Sequence, residues 1–441
     1  MTKRTAWKSG TPEAALLSGA TVVDPRAGLH GAFDVHISEG KIVSVSEAGT
    51  IEVPDDCQVI DCSGQILMPA FTDPHVHFRT PGQEHKETIS SGTAAAAAGG
   101  YCLVLAMPNT TPTVDGAEIL RGILARAEQE AVIPMGQLGA ITKGLGGADL
   151  TEMAQMTEAG AAGFTDDGIP VTDAGVLRKA LRYQQVTGAV IALHEEDPSL
   201  SLGAPLNEGL VSAKLGLRGQ PGVAESTMIS RDCELAELED AVIHVQHVSS
   251  AGSVRVIREA KARGVKVTAE ASPHHLLLTD EACSTLDSRA KMNPPLRSEE
   301  DRQAVIAGLV DGTLDCIATD HAPHHVDEKE QPFEDAPFGT TGLETSFAAV
   351  YDELVVRSGM SLDLIVERMT SGCIPFGFEP PSIVSGHAAS ITVFDPGSEW
   401  VVGSDGWASS SSNSCFAGRR LCGRIVRTFV EGVQVYEGGS K

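Results

Sequence analysis

From residue 65 to residue 319 the chain repeats one pattern eight times: a short apolar run of strand length, then a stretch with helical spacing. The runs cover residues 65–71, 101–107, 131–138, 161–165, 189–193, 241–246, 265–269 and 314–319. They are nearly continuous in apolar residues rather than alternating, which predicts strands buried on both faces. Some intervening segments carry clear helix ends, such as 253–263 before Gly264 and 299–310 before Gly312. Eight buried strands with helical crossovers predict an α/β fold, a (β/α)8 barrel. A doubly wound open sheet is the alternative, but no Gly-x-Gly-x-x-Gly follows the first run.

Outside the repeat, the pattern is different. Residues 15–68 and 389–436 carry short apolar runs broken by Gly, Asp and Pro, the mark of small antiparallel β units. Neither end is large enough alone. The expected organisation is therefore a composite small β-sandwich from 1–67 and 386–441, around a barrel at 68–385. A formal net charge of −26 argues against nucleic acid as a partner. No run of about 18 apolar residues is present, so no membrane span is expected. Residues 1–10 carry Lys3, Arg4 and Lys8 with no apolar stretch behind them, unlike a secretory signal. Nine cysteines without a Cys-x-x-Cys pair suit reduced thiols in a cytoplasmic protein, with Cys102 and Cys316 as small core residues.

Chemistry in a barrel sits where the strands end. The first run leads into His75 and His77, which fall on one side of an extended chain. The fourth ends in Asp166-Asp167-Gly168, the fifth in His194, the sixth in His247 and the eighth in Asp320-His321-Ala322-Pro323-His324. Singly, His194 or His247 is more often a hydrogen-bonded core histidine; together the set converges on one mouth. Six nitrogen and oxygen donors exceed the four that one zinc ion takes. They suit two ions joined by a carboxylate and a hydroxide, a pair able to hydrolyse an unreactive amide. Arg79, two residues past His77, projects to the same side with a fork suited to a carboxylate.

These residues sit in longer motifs. Residues 73–82 read Asp-Pro-His-Val-His-Phe-Arg-Thr-Pro-Gly, 107–110 Met-Pro-Asn-Thr, and 164–168 Phe-Thr-Asp-Asp-Gly. Further along come His247-Val248-Ser249, Pro273-His274-His275-Leu276, Lys-Met-Asn-Pro-Pro-Leu-Arg at 291–297, Pro337-Phe338-Gly339 and Gly342-Leu343-Glu344-Thr345. The set resembles the amidohydrolase superfamily, and within it the bacterial class I dihydroorotases. The resemblance implies one zinc on His75, His77 and Asp320, a second on His194 and His247, and Asp167 with a hydroxide bridging them. It implies that Asp166 bonds nearby, and that the aspartate-bridged subgroup applies, because no lysine stands at the end of strand four. Lys143 is expected at the surface. The reaction implied is reversible closure of N-carbamoyl-L-aspartate to L-dihydroorotate in pyrimidine biosynthesis, with Asp320 as proton shuttle. Substrate contacts implied are Arg79, Asn109 and His324 to the carboxylate, with His77, Asn293 and the backbone at Phe338 and Gly339 around the ring.

The segment 325–341 has no apolar period and is expected to be a long loop over the mouth, a lid. His274 and His275 are expected to orient or pack. A homodimer and an association with aspartate transcarbamoylase are also expected. Thr80 and the run 386–390 depart from the family pattern. Two other readings stay open: a sister cyclic amidase (hydantoinase, dihydropyrimidinase or allantoinase), and a non-catalytic paralogue that partners the transcarbamoylase.

Overall fold

The structure, a computed structural model, describes residues 4–51, 57–404 and 406–438. The first three residues of the amino-terminal stretch lie outside that set. Strands β1 (Ala15–Asp24), β2 (Leu29–Ser38) and β3 (Lys41–Glu47) form an antiparallel meander. A register shift between Leu17 and Ala20 divides β1 in two. Its first half pairs parallel with β4 (Gln58–Asp61) and its second with β5 (Ile66–Pro69).

The barrel comes next, in strands β6 (Phe71–Val76), β7 (Tyr101–Ala106), β8 (Met135–Gln137), β9 (Phe164–Thr165) and β10 (Ile191–Leu193). A two-stranded parallel ribbon of β11 (Leu206–Asn207) and β12 (Gly219–Gln220) interrupts it. Then β13 (Ile243–Val245), β14 (Val267–Ala271) and β15 (Cys316–Ile317) complete the set of eight. Neighbours pair in parallel throughout. A Gly139–Phe164 bridge joins β8 to β9, and a Val76–His321 bridge returns the chain after β15 to β6. The ring is closed, so the open doubly wound alternative is set aside. The crossover helices pack side by side, among them Ala174–Thr187, Val223–Glu239, Ala251–Arg263 and Glu299–Asp311. The last of these starts on Ser298, whose hydroxyl accepts from the Asp301 N–H, and ends at left-handed Gly312.

Strands β16 (Ile391–Val401), β17 (Arg420–Val430) and β18 (Val433–Glu437) close the chain as an antiparallel unit. Because β16 pairs with β5, one hydrogen-bonded path joins the two ends of the chain. Their inward residues, including Leu17, Val35, Leu67, Ile391 and Phe429, share one apolar cluster. One expectation needs correcting. The apolar run 65–71 is not the first barrel strand: Ile66–Pro69 belongs to the terminal sheet, and the barrel begins at Phe71. Burial is continuous across the change, so hydropathy alone could not mark it. As a result, Asp73 and His75 lie within the strand instead of beyond it.

The described cysteines are all free thiols, and Cys102 and Cys316 are buried. No helix among the described residues is long and apolar enough to cross a membrane.

Candidate metal centre

Asp167 follows β9 and is the point on which the cluster converges. Its Oδ1 lies 3.4 Å from His75 Nε2, 3.7 Å from His194 Nδ1 and 3.7 Å from His247 Nε2, while Oδ2 lies 3.5 Å from His77 Nε2. Asp320 Oδ1 faces His77 Nε2 at 3.2 Å and His75 Nε2 at 3.5 Å. His194 Nδ1 and His247 Nε2 are 2.9 Å apart, so both rings aim at one point. The six residues expected as ligands are all buried and meet here. Backbone strain accompanies the site: His247, Asp320 and Arg79 take positive φ values of 32°, 48° and 56°.

A second ring of groups fixes the orientation of the imidazoles. His75 Nδ1–H donates to Glu270 Oε1 at 2.6 Å, and His77 Nδ1–H donates to Asn109 Oδ1 at 3.0 Å. His194 Nε2–H points at Glu196 Oε2, 3.4 Å away. In each case the outer nitrogen has an acceptor for its proton, and the inner nitrogen faces Asp167 and Asp320, where a metal could take the place of a proton. Glu270 also accepts from His244 Nε2 at 3.0 Å and from the His247 N–H at 3.2 Å. Asp166 accepts from the Ile141 and Thr142 amides, as expected for the aspartate that stays out of the cluster.

Do these residues fit a metal? His75 Nε2 is buried with no hydrogen-bond partner, although the carboxylates of Asp167 and Asp320 both face it. Groups of the kind that hold a metal ion, His75 with Asp167 and His247, and His75 with His77 and Asp320, cluster tightly. Electrostatics agree. Burial disfavours a charged ring at His194, yet Asp167 and Glu196 outweigh it and lift the pKa to about 9. Burial likewise opposes ionisation of Glu270, but His75 and His244 hold it down to about 2. Asp167 and Asp320 are also held below the ordinary carboxylate range by the imidazoles, against the opposing effect of burial. The cluster is a pocket of fixed negative charge that raises the pKa of some of its own imidazoles, and a metal cation would compete for those same nitrogens. The donors fit a metal centre.

A cavity of about 310 Å³ opens beside the cluster. Arg79, Asn109, Asn293, His324, Phe338 and Gly339 line it together with His77, Asp167, His194, His247 and Asp320. Arg79 donates through Nε to the Pro323 carbonyl at 3.2 Å, and among the described residues no carboxylate reaches ion-pair distance of it. Asn109 is engaged more with the cluster than expected, since its amide nitrogen also reaches Asp167 Oδ2 at 3.3 Å. Asn293 donates to Glu196 Oε2 at 2.7 Å. His324 Nε2–H donates to the Phe338 carbonyl at 2.7 Å. Lys143 is exposed in a short turn. His275 donates through Nε2 to the Pro294 carbonyl at 2.9 Å, a packing role, while His274 is buried beside it. The segment 325–341 is not all loop: it holds a short helix, Val326–Lys329.

Sequence reasoning misses Glu270 and Glu196. Glu270 carries a signal, being an ionisable residue inside the apolar run of β14. Glu196 has only its place two residues after His194.

Fold and site together define a metal-binding barrel of the amidohydrolase type. A family model described as Dihydro-orotase-like matches residues 64–253. A dihydroorotase of Geobacter sp. (strain M21) is 43% identical over 96% of this chain and 99% of its own length. One from Pelotomaculum thermopropionicum is 46% identical over 95% of this chain and 97% of its own. Among solved structures, the L-hydantoinase (dihydropyrimidinase) of Arthrobacter aurescens superposes with a TM-score of 0.86 at 25% identity, covering 97% of both chains. The chain belongs to the dihydroorotase family.

Proposed function

We propose that this chain closes N-carbamoyl-L-aspartate to L-dihydroorotate with loss of water, and catalyses the reverse, using two zinc ions per chain. One observation carries the reading beyond family membership. A half-buried guanidinium, Arg79, faces the same cavity as the six-residue cluster, and among the described residues no carboxylate lies within ion-pair distance of it. A substrate carboxylate would supply the missing charge. The cavity also lacks the strand-four lysine of the sister cyclic amidases; Asp167 stands in its place.

Zinc held by His75, His77, His194, His247, Asp167 and Asp320 would supply Lewis acidity and a nucleophilic hydroxide near neutral pH. The chain's own groups do the rest. Arg79 and His324 bind the carboxylate and set the ring's depth. Asn293 has its NH2 committed to Glu196, which leaves its carbonyl oxygen to accept from a ring N–H. In the hydrolytic direction Asp320 takes a proton from the attacking water and returns it to the leaving ring nitrogen. The free thiols support a cytoplasmic setting.

The test is metal analysis and assay of the purified chain in both directions, with hydantoin and allantoin as controls. Turnover of dihydroorotate with two zinc ions bound is expected. Hydantoin turnover without dihydroorotate turnover would select the sister amidase instead. An inert chain with less than one metal would select the non-catalytic paralogue.

A further inference from the structure

Two residues outside the cavity hold its outer wall. Asn413 lies between β16 and β17, far from the barrel in sequence, and is 5% exposed. Its Oδ1 accepts from the His324 N–H at 3.0 Å, and its Nδ2 donates to the carbonyls of Ala322 at 3.1 Å and Gly339 at 3.2 Å. Lys329, on the short helix Val326–Lys329, is 7% exposed. Its Nζ donates to the carbonyls of Pro337 at 2.9 Å and Gly339 at 3.0 Å. The Gly339 N–H in turn donates to the Lys291 carbonyl at 2.9 Å.

We infer that Asn413 and Lys329 are positioning residues for the substrate: together they pin Gly339, and so fix where Phe338, Gly339 and His324 meet it. Neither side chain lines the cavity, yet each satisfies backbone groups of the residues that do. The wall has no slack. Gly339 has φ +129°, and a Cβ there would lie 2.7 Å from Ala322 Cβ and 3.1 Å from His324 Nε2. Lys329 is costly to keep, because its Nζ is buried among carbonyls and no carboxylate lies within ion-pair distance among the described residues. That burial pushes its amine down to about 7. A methionine would fill similar space without the cost, so what the lysine adds is its directed donors to the Pro337 and Gly339 carbonyls.

The inference rests on the cavity being the dihydroorotate site. Asn413→Ala, Lys329→Met and the double variant, matched for zinc content, are compared with the parent by steady-state kinetics and by hydrogen exchange of residues 337–341. Each single variant is expected to raise KM for dihydroorotate about tenfold while kcat stays within about threefold, since the wall moves and the reacting centre does not. The double variant should fall short of the product of the two, because both residues hold one carbonyl. An unchanged KM, or a fall in kcat at constant KM, overturns the inference. Should Asn413→Ala not fold, Asn413→Asp keeps the acceptor for His324 and removes the donors, and the same rise in KM is expected. If the parent turns over no dihydroorotate, the functional reading falls, and exchange decides the brace by itself. Faster exchange at Gly339 in the variants supports it, and unchanged exchange overturns it.

Discussion

The two walls of the cavity are built on different principles. The inner wall is a set of side chains at the ends of parallel strands, each oriented by another side chain: His75 by Glu270, His77 by Asn109, His194 by Glu196. The outer wall is backbone, the stretches at Ala322–His324 and Pro337–Gly339, held by the side chains of Asn413 and Lys329. A closed barrel fixes strand ends against one another, so donors placed there can be held to the tolerance a metal requires. Loops have no such frame. Their position depends on whatever long-range donors reach them, and here one donor comes from the carboxy-terminal segment.

The contrast can be broken or sharpened by experiment. The largest effect is expected at Asp320, where Asp320→Asn should lower kcat about 10³-fold in both directions. Substantial turnover in that variant would remove the proton role. Arg79→Gln should lower kcat/KM about 10²-fold, carried by KM, as loss of a charge-assisted hydrogen bond implies. A drop confined to kcat would place Arg79 among the reacting groups instead of the binding ones. Glu270→Gln should weaken metal binding about 10- to 100-fold in chelator competition, with the fold intact by circular dichroism. If affinity is unchanged, the orientation of His75 is set by the barrel without help from its carboxylate partner.

The smallest effect concerns the outer wall. Lys329 has an amine near 7 in the folded chain against an ordinary 10.5 when exposed. Between those values the unfolded chain holds a proton at this amine that the folded chain lacks, so the contribution of Lys329 to stability should rise with pH from about 7 toward 10. Urea denaturation at pH 7 and pH 9 should show the parent gaining on the order of 1–2 kcal/mol relative to Lys329→Met over that interval. Equal slopes in the two proteins would mean that the amine titrates as if exposed.

Much of the inner wall is legible in the amino-acid sequence. His75, His77, Asp167, His194, His247 and Asp320 each stand at or near the end of an apolar run, and a strand's period of two fixes the side to which such residues point. The first strand is displaced from its expected place, because one buried run serves two sheets and hydropathy does not register a change of partner. Glu270 is open to suspicion as a carboxylate in an apolar strand, but its bond to His75 spans 195 residues. Asn413 gives no signal at all, standing in a serine-rich stretch that reads as surface loop.

By itself, then, the sequence determined the barrel and where candidate donors gather, because both follow from local periodicity: burial repeats along each strand, and polar residues sit where each repeat stops, while the choice of Asp167 over Asp166 rested on the family motif. The tertiary structure decided the tautomers, the strained backbone at His247 and Asp320, and the placement of the outer wall. Apart from the His194–Glu196 pair, the orienting bonds join groups far apart along the chain, which meet only when the ring closes and the carboxy-terminal segment packs against its mouth.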